Sequence, residues 1–198
     1  MRIVDLASAG EAATQQAAAI LHDTIPEGWP TLDAAVAEVR ECLAPERISR
    51  VAVDDSGVLG WVGGQEHYAG HVWELHPVAV RRDVQRQGIG RALVLDLEDR
   101  IRERGIHTVF LGSDDLRGET TLAGVDLYPD PLAKLQAIRN TGGHPYEFYQ
   151  KLGYVIVGVV PDANGFGRPD IYMAKRIASP WQGAALSNQN LATTNRNG

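Results

Sequence analysis

The sequence holds little that would staple it, thread it through a bilayer or draw it to a polyanion. Of its 198 residues only Cys42 is a cysteine, which excludes an intramolecular disulfide and a cysteine-based metal cluster. No run approaches the roughly 20 apolar residues of a membrane span. The start, Met1-Arg2-Ile3-Val4-Asp5, has no long apolar region behind its basic residue. No secretory signal is read there, and a cytoplasmic protein with no membrane partner is expected. Positive charge is also scarce: 19 Lys and Arg face 25 Asp and Glu, a formal net charge of −6. Phosphate backbones recruit Lys and Arg, so nucleic acid is a poor partner, whereas a negative cleft concentrates cations. What the chain does have is 44% hydrophobic residues, ample for a domain of a size that buries roughly 70% of its unfolded surface.

Hydrophobic periodicity divides the chain. Ile3-Val4-Asp5-Leu6 reads as a first strand. Ser8, with Glu11 three residues on, has the spacing of a capping box and predicts a helix over 11–21. Thr31 is placed to cap a second helix, in which Leu32, Ala35, Val36, Val39 and Leu43 recur at helical spacing and Cys42 is a packing residue. Residues 48–53, 58–68 and 72–80 read as a meander of three strands, with turns at Asp55-Ser56-Gly57 and Ala69-Gly70. Pro77, inside the third strand, has no N–H for a ladder, so a bulge or a separation of strands is expected there. Residues 88–104 form a helix with Ile89, Leu93, Leu97 and Ile101 in one stripe. Residues 108–111 read as a short buried strand without alternation. Residues 120–140 read as helical pieces interrupted by Pro129 and Pro131, and 145–152 as a short helix. Residues 154–160 and 171–175 are the last strands. Residues 1–177 are therefore expected to form one α+β domain, with helices flanking a mixed, mostly antiparallel sheet. From 178 to 198, Ser, Asn, Gln and Thr dominate and periodicity stops, which predicts a flexible tail.

Gln85-Arg86-Gln87-Gly88-Ile89-Gly90 falls between the third meander strand and the long helix. Glycines at a helix start let the backbone approach a ligand, and the exposed N–H groups and helix dipole favour an anion such as a pyrophosphate. Arg81, Arg82, Arg86 and Arg91 make this the most basic stretch of an acidic chain. Gly-x-Gly alone fits a plain turn as well; the strand–loop–helix setting favours the phosphate reading. The Gly-Lys-Ser/Thr ending of a mononucleotide loop is absent. The preceding meander differs from the βαβ unit of a dinucleotide fold.

In this position Gln85-x-x-Gly88-x-Gly90 resembles the acetyl-CoA pyrophosphate loop of the GCN5-related N-acetyltransferases, the GNAT superfamily. The resemblance runs from about residue 3 to residue 177. It implies the GNAT fold, in which the strand before the loop splays from its neighbour and the pantetheine arm fills the gap. Further segments are similar to the aminoglycoside 6′-N-acetyltransferases. They are Trp73-Glu74-Leu75-His76-Pro77, then Leu111-Gly112-Ser113-Asp114-Asp115 with Thr120-Thr121-Leu122 and Asp126-Leu127-Tyr128. The last group is His144-Pro145-Tyr146-Glu147-Phe148-Tyr149, continuing through Leu152-Gly153-Tyr154, Pro161-Asp162-Ala163-Asn164-Gly165 and Pro169-Asp170-Ile171. They resemble in particular the dimeric, enterococcal-type branch. Val78 departs from the leucine usual after His-Pro, and the loop is nearer the general superfamily pattern. The implied activity is direct transfer, in a ternary complex, of an acetyl group from acetyl-CoA to a primary amine of a polycationic aminoglycoside, an antibiotic-resistance function, by a homodimer. Acetylation of protein N-termini, lysines or polyamines is the alternative, and a non-catalytic acyl-CoA-binding module a third reading.

Such a transfer needs a base for the amine, donors for the oxyanion and an acid for the departing thiolate. Glu74 is the candidate base, through a water, and a holder of a substrate ammonium; a surface pair with an arginine would explain it too. The N–H of Val78 is the oxyanion donor that the resemblance implies. Tyr149 is the implied acid, with an ordinary pKa of about 10; aromatic packing of the short amphipathic helix it shares with Tyr146 would account for it too. His76 shares the face of Glu74 by the period of two. The implied acetyl-CoA contacts are His76, Val78, Ala79, Val80, Gln85, Arg86, Gln87, Gly88, Ile89, Gly90, Arg91 and Tyr149. The acceptor candidates are Glu27 and Trp29 between the first two helices, Trp73, Glu74 and His76 on the strand, and Asp114, Asp115 and Asp126. Those three aspartates suit turn formation as well as ammonium binding.

Overall fold

The structure, a computed structural model, describes residues 1–178. All of the expected tail except Ala178 lies outside them. The elements are β1 (Arg2–Asp5), α1 (Leu6–Ala9), α2 (Glu11–Thr24), α3 (Leu32–Glu41), β2 (Ile48–Asp54), β3 (Gly57–His67), β4 (Val72–Val80), α4 (Ile89–Glu103), β5 (Thr108–Asp114), α5 (Pro131–Gln136), α6 (Tyr146–Lys151), β6 (Val155–Val160) and β7 (Asp170–Arg176). One seven-stranded sheet runs in the order β1-β2-β3-β4-β5-β7-β6. Its neighbours are antiparallel except for the parallel pair β4–β5.

Local chemistry sets the ends of these elements. Asp5, not Ser8, caps the first helical turn, accepting the Ala7 N–H at 2.9 Å, while the Ser8 hydroxyl bonds back to the Asp5 carbonyl. The capping-box reading therefore fails, and α2 has Gly10 as its N-cap, without a side-chain cap. Thr31 does cap α3, accepting the Ala34 N–H at 3.2 Å. Pro131 begins α5 instead of interrupting a helix, because the N–H it lacks has no partner in a first turn. Strand β5 is longer than its apolar run and alternates. Val109, Leu111 and Ser113 are buried, whereas Phe110, Gly112 and Asp114 turn to the other, more open face.

Adjacent residues of the strands enter different cores, which places the cores on opposite faces of the sheet. Ala52, Leu59 and Val62 pack with α4, α6 and the inward residues of β5 and β7. Val51, Val58 and Trp61 pack with α1, α2 and α3, where Cys42 is 2% exposed. Burial pushes its thiol up to about 12, so it stays protonated. No residue of β5, β6 or β7 joins this second core. Among the described residues that face carries no helix beyond β4, and Val155 and Tyr172 lie 60% and 38% exposed there. No helix among the described residues is long and apolar enough to cross a membrane.

Candidate active site

The irregularity predicted at Pro77 is a bulge. Val62 faces Val78 and Gly64 faces Leu75, so β4 carries one residue more than β3 across this stretch. Gly63 makes room for it: a Cβ there would lie 2.4 Å from the His76 carbonyl oxygen. On its other side β4 pairs with β5 only through Trp73 and Glu74, opposite Val109 and Phe110. From Leu75 onward the two strands part, and β5 continues with β7 alone. The Arg81 N–H bonds to Leu59 on β3 at 2.9 Å. Strand alternation then turns the amides of Val78 and Val80 to the open side, where the Val80 carbonyl accepts the Gln85 side chain at 2.9 Å.

The same end of β4 leads into the glycine loop. Gly88 adopts φ +88° as the N-cap of α4 and offers no side chain to the first-turn amides. A left-handed backbone here is cheap only for glycine, and the uncapped N–H groups remain for an anion. Arg81 and Arg82 are engaged by Asp83 and Asp23 at 2.7 and 2.9 Å, whereas Arg86 and Arg91 are exposed. Gln85, Gln87 and Gly88 are exposed as well, and Ile89 adds backbone alone, its side chain being 6% exposed in the core. These residues fit a polyphosphate lying over the helix start with a thin chain in the strand gap. Ala79 does not belong to that set: its amide turns to β3 and its side chain is 2% exposed against α2 and α3.

Glu74 stands at the base of the split. Its Oε2 accepts Gln65 Nε2 at 2.7 Å and lies 2.8 Å from His67 Nε2. Its Oε1 has His76 Nδ1 at 3.9 Å, so one oxygen is held and the other is left for an amine or a water. The His76 ring lies 5.8 Å from that of Trp29, which brings the α2–α3 loop over this side of β4. Register places Phe110 beside Glu74, and Gly112 and Asp114 opposite Tyr172 and Asp170, all on the face that α1–α3 cover only as far as β4. His67 meets Phe110 edge-on at 5.2 Å, and Phe110 meets Tyr172 at 6.5 Å. Asp170 lies over Gly112, where a Cβ would stand 2.5 Å from its Oδ2. Burial, with Asp114 and Glu74 nearby, pushes the Asp170 carboxyl up to about 6. Burial and then Asp170, Glu74 and Asp114 raise Tyr172 too. Three carboxylates and two aromatic rings thus share one face beside the split, Asp114 exposed and Asp170 partly buried.

Several sequence candidates take other places. Trp73 points away from Glu74 and is 2% exposed in the α4 core, with the Arg104 guanidinium 4.6 Å over its ring; it has no surface for an acceptor. Asp115 is 1% exposed and accepts the amides of Glu119 and Thr120 and the Thr120 hydroxyl at 2.7–2.9 Å. It ties down the loop after β5 and, contrary to expectation, presents no oxygen to an acceptor. Asp126 caps its own turn through the Tyr128 N–H at 3.1 Å. Glu27 is paired with Arg117. Tyr149 is 8% exposed, its ring 5.8 Å from Tyr154, and burial raises its hydroxyl so that it stays protonated. Tyr154 in turn borders Glu98, which is 2% exposed and pairs with Lys175 at 2.6 Å. The His144-Pro145-Tyr146 segment joins α6 to the end of β5. His144 Nδ1 accepts the Tyr146 N–H, which leaves Nε2–H to donate to the Asp114 carbonyl at 3.2 Å.

Gln65, His67, Asp170 and Tyr172 were not among the sequence candidates. The alternation of β7 and its pairing with β5 is the signal that finds Asp170 and Tyr172, and it requires knowing which strands are neighbours.

Comparison with known proteins agrees with this geometry. Residues 14–119 match the model of the acetyltransferase (GNAT) family. The crystal structure of an aminoglycoside 6′-N-acetyltransferase complexed with coenzyme A is 42% identical, with a TM-score of 0.85 over 90% of this chain and 98% of that one. The aminoglycoside 6′-N-acetyltransferase from Enterococcus faecium is 42% identical, with a TM-score of 0.83 and the same coverage. An aminoglycoside 6′-acetyltransferase type Ii is 37% identical, with a TM-score of 0.71 over 90% and 99% of the two chains. No curated protein sequence matches the chain. The split strands, the open start of α4 and the match over more than half of the chain together make it a member of the acetyltransferase (GNAT) family, an acetyl-CoA-dependent N-acetyltransferase.

Proposed function

We propose that the protein is an aminoglycoside 6′-N-acetyltransferase, an antibiotic-resistance enzyme that transfers acetyl from acetyl-CoA directly to a primary amine of the antibiotic in a ternary complex. The observation that carries this reading is the acidic face of Glu74, Asp114 and Asp170 beside the β4–β5 split. It is supported by 42% identity to aminoglycoside 6′-N-acetyltransferases over 90% of the chain. A polycation suits such a face: one ion pair at 4 Å is worth about 4 kcal/mol at an effective dielectric of 20, before desolvation. A homodimer working in the cytoplasm completes the reading.

Acetyl-CoA supplies an activated carbonyl; the chain supplies protons, donors and position. The attacking amine forms the C–N bond as the C–S bond breaks. Its proton passes to Glu74 Oε1, directly or through a water, while Gln65 and His67 hold Oε2. A base so placed contributes about 10²–10⁴-fold. The Val78 N–H, turned to the gap, donates to the acetyl oxygen as negative charge develops there, a contribution of roughly 3–4 kcal/mol. Tyr149, kept protonated by burial, gives its proton to the departing thiolate. The uncapped amides of α4 with Arg86 and Arg91 hold the phosphates. Asp114 and Asp170 hold the further ammonium groups of the acceptor.

The test is thiol release from acetyl-CoA with kanamycin, tobramycin, spermidine and an Ala-starting peptide as acceptors, followed by mapping the acetylated nitrogen. Fast release with the aminoglycosides and acetylation at the 6′ amine are expected. Release with peptide alone would sink the reading. Sedimentation at working concentration tests the dimer.

A further inference from the structure

Glu27 and Arg117 lie 90 positions apart in the chain, yet Arg117 Nε and Nη2 donate to Glu27 Oε1 and Oε2 at 2.8 and 3.0 Å. The pair joins two loops that frame the split. Glu27 belongs to the α2–α3 loop, which rests on β4 through Trp29 and His76, next to Glu74. Arg117 follows Asp114 by three residues in the loop that leaves β5. The pair therefore bridges β4 and β5 on the side where the carboxylates lie.

Its chemistry imitates that of the acceptor. A guanidinium on a carboxylate makes the contact that a substrate ammonium would make. Arg117 holds the Glu27 carboxyl below its ordinary range, so near neutral pH the carboxylate is released by a competing cation and not by a proton. Both side chains keep solvent contact, at 51% and 37% exposure, and pairs exposed to this degree are weak enough in water to be exchanged. Glu27 and Arg117 are otherwise unused by the reaction described above.

We infer that Arg117 is a specificity-determining residue: it occupies Glu27 as an internal cation until an acceptor with several ammonium groups replaces it. An amine that spends its single charge at Glu74 has no second cation with which to take Glu27, so the exchange favours polycations. This inference rests on the proposed cationic acceptor.

Steady-state kinetics with tobramycin, on the full chain, test it. Arg117→Ala is expected to lower the acceptor KM about 3–10-fold, with a larger change in KM than in kcat, because Glu27 is then free for the substrate. Glu27→Gln is expected to raise that KM, and in its background Arg117→Ala is expected to have no further effect. An unchanged KM in Arg117→Ala overturns the inference. So does a raised KM, which would make the pair a strut that holds the loops. If the unaltered enzyme uses kanamycin and not tobramycin, the comparison is made with kanamycin; if it uses no aminoglycoside, the proposed function fails by itself, and the same comparison is made with spermidine, to which the same outcomes apply. An enzyme that uses none of these polycations overturns both.

Discussion

The two halves of the sheet are built differently. Strands β1 to β4 are covered on both faces, by α1–α3 on one and α4 on the other. Among the described residues, strands β5, β7 and β6 are covered on one face only and present Asp114, Asp170, Tyr172 and Phe110 on the other. The covered half is packed like any protein core and carries the glycine loop at its end. The bare half gathers like charges that the fold alone gives no reason to place together. Glu74 sits on the boundary, on the last strand of the covered half but on the face that the other half leaves open. On the proposed function, the anionic cosubstrate belongs to the covered half and the cationic acceptor to the bare one, with chemistry at the seam.

The seam is where the largest effect is expected. Glu74→Gln keeps the shape and can still accept from Gln65 and His67, but it removes the base. kcat/KM should fall by about 10²–10⁴, with a folded protein by circular dichroism. Loss of folding without a separate loss of rate would mean that Glu74 belongs to the scaffold. Tyr149→Phe keeps the ring against Tyr154 and removes only the proton donor. A fall in kcat of about tenfold or more is expected, at a nearly constant KM for acetyl-CoA. Equal effects on both would assign the ring to packing.

The covered half was the more legible in sequence, and the reason is physical. The α4 stripe, the meander and the Gly88 loop are set by residues close together in the chain, where periodicity and glycine chemistry act. Pro77 announced its bulge because it lacks a donor. The bare half is set by pairing between β5 and β7, whose partners Asp114 and Asp170 lie far apart in the chain. Asp114 and Asp115 look alike in sequence, yet one faces the open surface and the other is sealed under Thr120. Trp73 is a case that alternation alone decides, since it puts this side chain on the face opposite Glu74. Ser8 lost the cap to Asp5 because the chain turns helical directly after β1.

The charge division can be tested from its anionic side. Arg86→Ala combined with Arg91→Ala should raise the KM for acetyl-CoA about three- to tenfold and flatten its dependence on salt, since these exposed guanidinium groups act through a screened field. The acceptor KM should move less. If the acceptor KM moves as much, the two halves do not divide the substrates by charge.

The smallest effect on kinetics, and the finest probe of the bare half, is expected from Asp170→Asn. The folded Asp170 carboxyl lies at about 6, above its ordinary value of 3.8, mainly through burial and the negative charge of Asp114. A raised folded pKa means that the folded state holds the proton more tightly than the unfolded chain. Stability then falls as pH rises from about 4 to 6, and the penalty is complete above that window. Asparagine carries no such penalty. Asp170→Asn should therefore be more stable than the parent at pH 8 by about 1–3 kcal/mol, at about 2–4 °C in Tm for each kcal/mol in a chain of this size. The gain should vanish near pH 4. Binding should respond in the opposite direction: a bound polycation relieves the repulsion, so tobramycin should raise the parent's Tm at pH 8 by more than it raises the variant's, and the variant's acceptor KM should increase a few-fold. A variant no more stable than the parent at pH 8, or stabilised equally by tobramycin, would leave Asp170 outside the acceptor surface and restrict that surface to Glu74 and Asp114.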